Sequence, residues 1–361
     1  QLEDHPHISP RGSSMNKSGV QFGGVASVVG LLMLLFSLSL ESFFLGITLN
    51  GISWVITLLG LRQVVISLLE KKRKVYHKGA IVISGCSTGI GRHAALGLDA
   101  LGFTVYAGVR KEKDKQSLLA ERATIRPVML DVADNKSVEA AAARVCTEIT
   151  QENLPLVAII NNAGISPGLP VEYEPISKVQ GSYDVNVFGV HRMCQAFLPS
   201  LRRSEGRIIN VGSVAGTVCR PLKSVYHGTK FAVEGMSNSL RLELAKYNIP
   251  VSVIRPGYVK TAFASKQSGD NLPFSKIEGA QYDVYRHLFD NFKKTFISGH
   301  AGGSSPQVST DAIVHAVSSE FPKIRYDVAK AGALPVTAVM WMAWAFPDEL
   351  GDLYILKKYT N

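Results

Sequence analysis

Two regimes of hydrophobic patterning follow one another along this chain. Residues 20–40 carry no charge, and after Glu41 a second uncharged run covers residues 42–61, with only Arg62 and Gln63 ahead of the apolar residues 64–69. An apolar run of roughly 18 residues or more is long enough to cross the hydrocarbon core as a helix. A signal peptide has a shorter apolar region and is not followed by a second one. A soluble buried hairpin would leave more apolar surface than one partner covers. Residues 20–70 therefore read as a membrane anchor. Two spans with Glu41 at the far turn fit the pattern, and so does one span with an interfacial helix.

The pattern changes at about Lys78. Short β-branched runs at 80–84, 104–107, 128–130, 157–160, 207–211 and 251–254 alternate with stretches of helical period. Strands separated by helices imply βαβ units and a parallel sheet covered on both faces. Residues 78–361 thus read as one α/β domain with a doubly wound parallel sheet, a Rossmann fold.

Composition refines this picture. The 361 residues are 46% hydrophobic and carry a formal charge of +10. The basic residues bunch at Lys71, Lys72, Arg73 and Lys74, and again at Arg110, Lys111, Lys113 and Lys115. Neither cluster has interleaved aromatics for base stacking, so nucleic acid is not the expected partner. The first cluster directly follows the anchor, which points the domain to the cytosolic side of an intracellular membrane such as the endoplasmic reticulum. Cys86, Cys146, Cys194 and Cys219 are far apart, without metal-ligand spacing; no metal site is expected, and free thiols suit a reducing compartment. Residues 1–14 are polar and precede Met15; the leader, taken as 1–19, is left out of the fold reasoning.

Candidate chemistry begins at the first strand. The segment Gly85, Cys86, Ser87, Thr88, Gly89, Ile90, Gly91 separates that strand from a helix. Its glycines let the chain turn tightly and bring backbone N–H groups at a helix start against a pyrophosphate. The second strand ends at Val109, where an NAD enzyme carries an acid for the ribose 2′-hydroxyl. Arg110 follows and is suited to a 2′-phosphate, so NADP is expected ahead of NAD. Ser213 ends the fifth strand, and Tyr226 and Lys230 stand at i and i+4, on one helix face. A phenol with an ordinary pKa of about 10 is a weak base at neutral pH. A cation one turn away favours its phenolate, and Ser213 is placed to hold a substrate oxygen.

The GxxxGxG spacing of Gly85, Gly89 and Gly91, followed by Ser213, Tyr226 and Lys230, resembles the short-chain dehydrogenase/reductase family over residues 80–261. Ser84 stands where that family has Thr. The resemblance implies an Asn–Ser–Tyr–Lys tetrad, with Asn186 as its Asn, supporting a proton-relay water. It assigns Asp131 and Val132 to the adenine, and Asn162, Ala163 and Gly164 to the cofactor cleft. Pro256, Gly257, Val259 and Thr261 match the segment that packs the nicotinamide. It also implies a homodimer through the helices bearing Asn186 and Tyr226.

Beyond Thr261, residues 262–361 read as a substrate and lid region. Phe263, Phe274, Tyr282, Tyr285, Phe289 and Phe292 are concentrated there, with helical spacing over 282–296. Arg325 and Tyr326 begin a segment that partly resembles the RYxxG of retinol and 17β-hydroxysteroid dehydrogenases, with Ala329 in the glycine position. Residues 331–346 are apolar but short for a span; dipping into the bilayer and lining a hydrophobic site both fit. The expected function is an NADP(H)-dependent oxidoreductase interconverting a lipophilic alcohol (steroid, retinoid or fatty) and its ketone or aldehyde. The alternatives are a non-catalytic membrane-bound NADPH sensor or scaffold, and a nucleotide-sugar epimerase or dehydratase, whose glycine turn is spaced differently.

Overall fold

The computed structural model describes residues 28–33, 43–262, 274–275 and 277–360. The leader, most of the first apolar run, Glu41 and Phe263 lie outside the described residues. The chain divides into two compact units, residues 1–75 with 319–321 and residues 76–318 with 322–361.

In the first unit, α1 (Phe43–Leu69) is one helix of 27 residues. Arg62 and Gln63, the polar pair in the apolar run, lie within it; both have good helix propensity and leave the backbone ladder intact. Its stretch Gly51–Leu69 is long and apolar enough to cross a membrane, by length and composition. Helical residues 28–33 meet α1 at Gly30, where a Cβ would lie 2.3 Å from the Thr57 hydroxyl. The Ser53 hydroxyl donates to the Gly30 carbonyl. Small residues at such a crossing let two apolar helices bring their backbones close.

The second unit is built on a seven-stranded sheet in the order β3-β2-β1-β4-β5-β6-β7, with every pairing parallel. The strands are β1 (Ala80–Ile83), β2 (Thr104–Val109), β3 (Arg126–Met129), β4 (Leu156–Asn161), β5 (Arg207–Val211), β6 (Val251–Pro256) and β7 (Arg325–Val328). Strands β1 and β4 are buried along their whole length, which is why they read as unbroken apolar runs rather than alternating ones. Each fully buried Val or Ile there contributes about 1.5–3 kcal/mol. The helices α2 (Gly89–Ala100), α3 (Glu112–Glu121), α4 (Asn135–Gln151), α5 (Ile176–Tyr183), α6 (Gly189–Ser204) and α7 (Ser224–Glu243) connect the strands. Asp134 caps α4 by accepting from the backbone N–H groups of Lys136 and Ser137, a contribution of about 1 kcal/mol.

The six strands expected from the sequence are present with shifted ends. The seventh, β7, was not expected as a strand. It is an edge strand in which only Tyr326 is buried, so it carries no apolar run for the sequence to reveal. Beyond β6, α8 (Gly279–Ala301) contains the expected helical stretch, and its Phe289, Phe292 and Phe296 form a cluster with Phe274, Leu222 and Tyr359. After α9 (Gln307–Ser318) and β7, a short hairpin, β8 (Lys330–Ala331) with β9 (Leu334–Pro335), leads into α10 (Val336–Ala345) and α11 (Asp348–Thr360). Helix α10 is too short to span a bilayer. It buries Val336 and Met340 and leaves Trp341 and Trp344 exposed.

Candidate active site

The crossovers leave β1 and β4 in opposite directions, and the crevice at their C-terminal ends is where this architecture binds ligands. The two loops that flank it are tied together. The Ser84 hydroxyl accepts from the backbone N–H groups of Asn162 and Ala163, each at 3.1 Å. The Asn162 amide donates at 3.0 Å to the carbonyls of Ser84 and Gly85. Adjacent residues of a strand point to opposite sides. Asn161 accordingly turns inward and donates to Asn210 at 2.8 Å, while Asn162 serves the crevice.

The glycines of the turn are demanded by geometry. Gly85 and Gly89 have φ of +73° and +66°, the left-handed region that side chains avoid. A Cβ on Gly91 would lie 2.3 Å from the Asn162 amide nitrogen. Thr88 precedes α2 without a side-chain capping bond, so the first N–H groups of the helix are left for an anion. Thr261 closes the turn from the other side, 3.2 Å from where a Gly89 Cβ would stand. The Ser87 carbonyl accepts from Arg92 at 3.3 Å. Ile90 packs partly into the apolar layer beneath. Gly257 is equally constrained: its N–H donates to Val328 at 3.0 Å, and a Cβ would meet the Lys330 carbonyl at 2.2 Å. Val259 is buried beside it.

At the end of β2, Val109 is buried. Arg110 and Asp131 are exposed and 3.9 Å apart, a loose pair of little energetic weight. The Asp131 carboxylate accepts from the N–H of Ala133 at 3.1 Å. Val132 turns away from the crevice into the core under Gly189, which leaves only its backbone to line a cleft.

Asn186 lies in a π-helical turn, Asp184–Phe188, between α5 and α6. Such bulges recur at functional sites. Its carboxamide pairs with both backbone groups of Ile165 at 2.8 Å and donates to Thr229 at 3.0 Å, fixing the loop that carries Gly164. Lys230 is buried, donates to the Val211 carbonyl at 2.8 Å, and has its ammonium 5.8 Å from the centre of the Tyr226 ring. The Ser213 hydroxyl accepts from Ala215 at 3.1 Å and hydrogen-bonds with the Tyr226 phenol.

Burial shapes the electrostatics of the site. Burial pushes the Lys230 ammonium down to about 8. Burial also raises the Tyr226 phenol above its ordinary value, opposed by the Ser213 hydrogen bond and by the charge of Arg220. Arg220 is thus a second cation near the phenol, besides Lys230 with its ammonium over the ring.

Arg220, Lys223 and Thr229 were not among the expected site residues. Lys223 is buried and donates to Ser166 and Pro167 at 3.1–3.2 Å, and burial, then Arg220, pushes it down to about 7. Only the position of Arg220 and Lys223 between Ser213 and Tyr226 hinted at the site, and position alone does not fix where a long side chain points. A cavity of about 460 Å³ is lined by Leu169, Arg220, Leu222, His227, Gly228 and Phe231. At about 100° per residue, its α7 residues lie on the face turned from Tyr226.

A seven-stranded parallel sheet with a glycine turn at its switch point, and a serine, tyrosine and lysine gathered beside it, defines an oxidoreductase class that binds a nicotinamide cofactor. The chain belongs to the short chain dehydrogenase family, whose model matches residues 79–271. It is 36% identical to estradiol 17-beta-dehydrogenase 1 of Rattus norvegicus, over 68% of this chain and 72% of that protein. It is 31% identical to the mitochondrial D-beta-hydroxybutyrate dehydrogenase of Mus musculus, over 76% of this chain and 83% of the relative. Among solved structures, a short-chain dehydrogenase from Streptomyces avermitilis superposes with a TM-score of 0.60 at 23% identity, over 78% of this chain and 97% of that one. A short chain dehydrogenase from Burkholderia cenocepacia in complex with NADP gives 0.57 at 22% identity, over 78% and 98%. At these identities the structural likeness speaks for the fold.

Proposed function

We propose that this chain is a membrane-anchored, NADP(H)-dependent oxidoreductase that interconverts a lipophilic alcohol and its ketone or aldehyde. The observation that carries the reading is the convergence of Ser213, Tyr226 and Lys230 beside the uncapped α2 N-terminus and the Gly85–Gly91 turn. The glycine cradle, which a Cβ would fill, fits a dinucleotide pyrophosphate. Arg110 is free to leave its loose pairing with Asp131 for a 2′-phosphate, and the buried Val109 offers no acid to a ribose hydroxyl. When bound, the nicotinamide supplies or accepts the hydride.

Ser213 holds the substrate oxygen and Tyr226 exchanges its proton. Lys230 stands behind Tyr226, and Asn186 fixes the loop on the relay side. Asp131, Val132, Asn162, Ala163 and Gly164 border the adenine and nicotinamide halves of the cleft, with Pro256, Gly257, Val259 and Thr261 opposite. The relatives named for estradiol and for D-beta-hydroxybutyrate both point to a secondary alcohol, and the aromatic cluster around Phe289 and Phe292 suits a lipophilic body. α1 supports attachment to an intracellular membrane, with the basic residues after it favouring a cytosolic catalytic domain. The exposed Phe188 and Phe231, beside and on the helices bearing Asn186 and Tyr226, favour a homodimer.

The test is turnover by detergent-purified protein on retinoid, steroid and fatty carbonyls with NADPH and NADH. Tyr226→Phe should lower kcat by a factor on the order of 10² to 10⁴ while leaving cofactor binding in place. Arg110→Ala should erode the preference for NADPH over NADH. Cofactor binding without turnover of any carbonyl would leave the sensor or scaffold reading standing instead.

A further inference from the structure

Arg220 holds an unusual position. It lies on the connection between Ser213 and Tyr226, yet its guanidinium reaches the segment after β6 and the lid. One of its N–H groups donates to the Tyr258 hydroxyl. Its carbon lies 5.5 Å from the centre of the Tyr258 ring and 5.7 Å from that of Phe292. Its charge is close enough to act on Tyr226, Lys223, His227 and His300. It thus lies close to Tyr226, lines the cavity of about 460 Å³ and touches Phe292, a member of the apolar cluster with Leu222, Phe274, Phe289 and Phe296.

Among the described residues no carboxylate pairs with Arg220; it faces the phenols of Tyr258, Tyr359 and Tyr226. Lys223, the nearby second cation, is committed to Ser166 and Pro167, and its charge opposes that of Arg220. A guanidinium carries five N–H donors in one plane, and the bond to Tyr258 uses one of them. That plane is the direction from which a carboxylate makes two parallel hydrogen bonds. A cation of this kind within an apolar, aromatic wall matches a ligand that is apolar along its body and anionic at one end.

We propose that Arg220 anchors a carboxylate of the substrate, so that this enzyme acts on lipophilic oxo acids and hydroxy acids in preference to neutral steroids or retinoids. The proposal rests on the oxidoreductase reading above and adds the substrate's charge to it. Tyr258 orients the guanidinium, Arg220 fixes the carboxylate, and the distance from Arg220 to the Ser213–Tyr226 pair selects the spacing between carboxylate and carbonyl.

The experiment uses the full chain in detergent and two readouts. In the first, a series of straight-chain oxo acids of increasing length is compared with the corresponding methyl esters, as kcat/KM with NADPH. The wild type should prefer the acid over its ester for at least one length by about tenfold or more. Arg220→Leu should collapse that ratio by raising KM for the acid, and Arg220→Lys should keep part of it. A structural role would lower acid and ester together and leave the ratio unchanged; that result, or a wild type indifferent to the ester, overturns the proposal. In the second, calorimetric binding of unreactive alkanoates to the NADPH-loaded protein is measured for wild type and Arg220→Leu. Alkanoate binding that depends on Arg220 without turnover of any carbonyl keeps the anion site and sinks the oxidoreductase reading. Turnover of acids and esters alike does the reverse. Neither binding nor turnover sinks both.

Discussion

The charge of single side chains governs the candidate site. In the proposed reaction Tyr226 carries a proton to reduce a carbonyl and loses it to oxidise an alcohol, and its neighbours are Ser213, Arg220 and Lys230. Burial alone holds Lys230 down to about 8. Below that pH the ammonium is charged and the site holds a proton to give; above it the amine is neutral and can accept one. Carbonyl reduction should therefore fall as pH rises through about 8, and alcohol oxidation should rise over the same interval. Initial rates in both directions at saturating cofactor measure this, and profiles flat across the interval contradict it. Arg220 opposes the burial of the phenol as well. A YxxxK spacing brings two side chains to one helix face, but the sequence does not say how much of each charge survives desolvation. Ser84 is a simpler matter: its hydroxyl accepts two backbone N–H groups, and any hydroxyl at the end of β1 can do so.

Junctions between elements hold the strained positions. Ala329 joins β7 to β8 with φ of +68°, the left-handed region that favours glycine. A left-handed conformation costs a residue with a Cβ roughly 1–2 kcal/mol, and glycine returns about 0.5–1 kcal/mol of that as extra freedom in the unfolded chain. Ala329→Gly should therefore stabilise the protein by about 0.5–1 kcal/mol, seen as a rise of about 1–3 °C in Tm; a lowered Tm contradicts it. The π-helical turn around Asn186 is a junction of another kind. Its sequence has ordinary helical composition, and the bulge arises because Asn186 is held by Ile165 from the far side of the crevice. The edge strand β7 escaped notice for the complementary reason, since one buried residue in four makes no pattern.

For the whole molecule, the apolar helix α1 and the oxidoreductase unit belong to separate compact bodies of the chain. The intact chain should sediment with membranes, resist alkaline carbonate and dissolve only in detergent. Protease added to intact vesicles should digest the oxidoreductase unit if it faces outward, as the basic block after α1 predicts. Release by carbonate contradicts the anchor, and protection from protease contradicts the orientation. The alternation of apolar runs with helical stretches was enough to read the doubly wound sheet, because burial on both faces writes itself into consecutive residues. The glycine turn and the Ser213, Tyr226 and Lys230 set were equally local, held within single loops and one helix turn. Tertiary structure alone decided what comes together from distant segments: Asn186 on Ile165, Asn162 on the glycine turn, and Arg220 against Tyr258 and Phe292. Hydrogen bonds and ring contacts between residues far apart in the chain leave no period in the sequence, so the cation beside Tyr226 became visible only once the chain had folded around it.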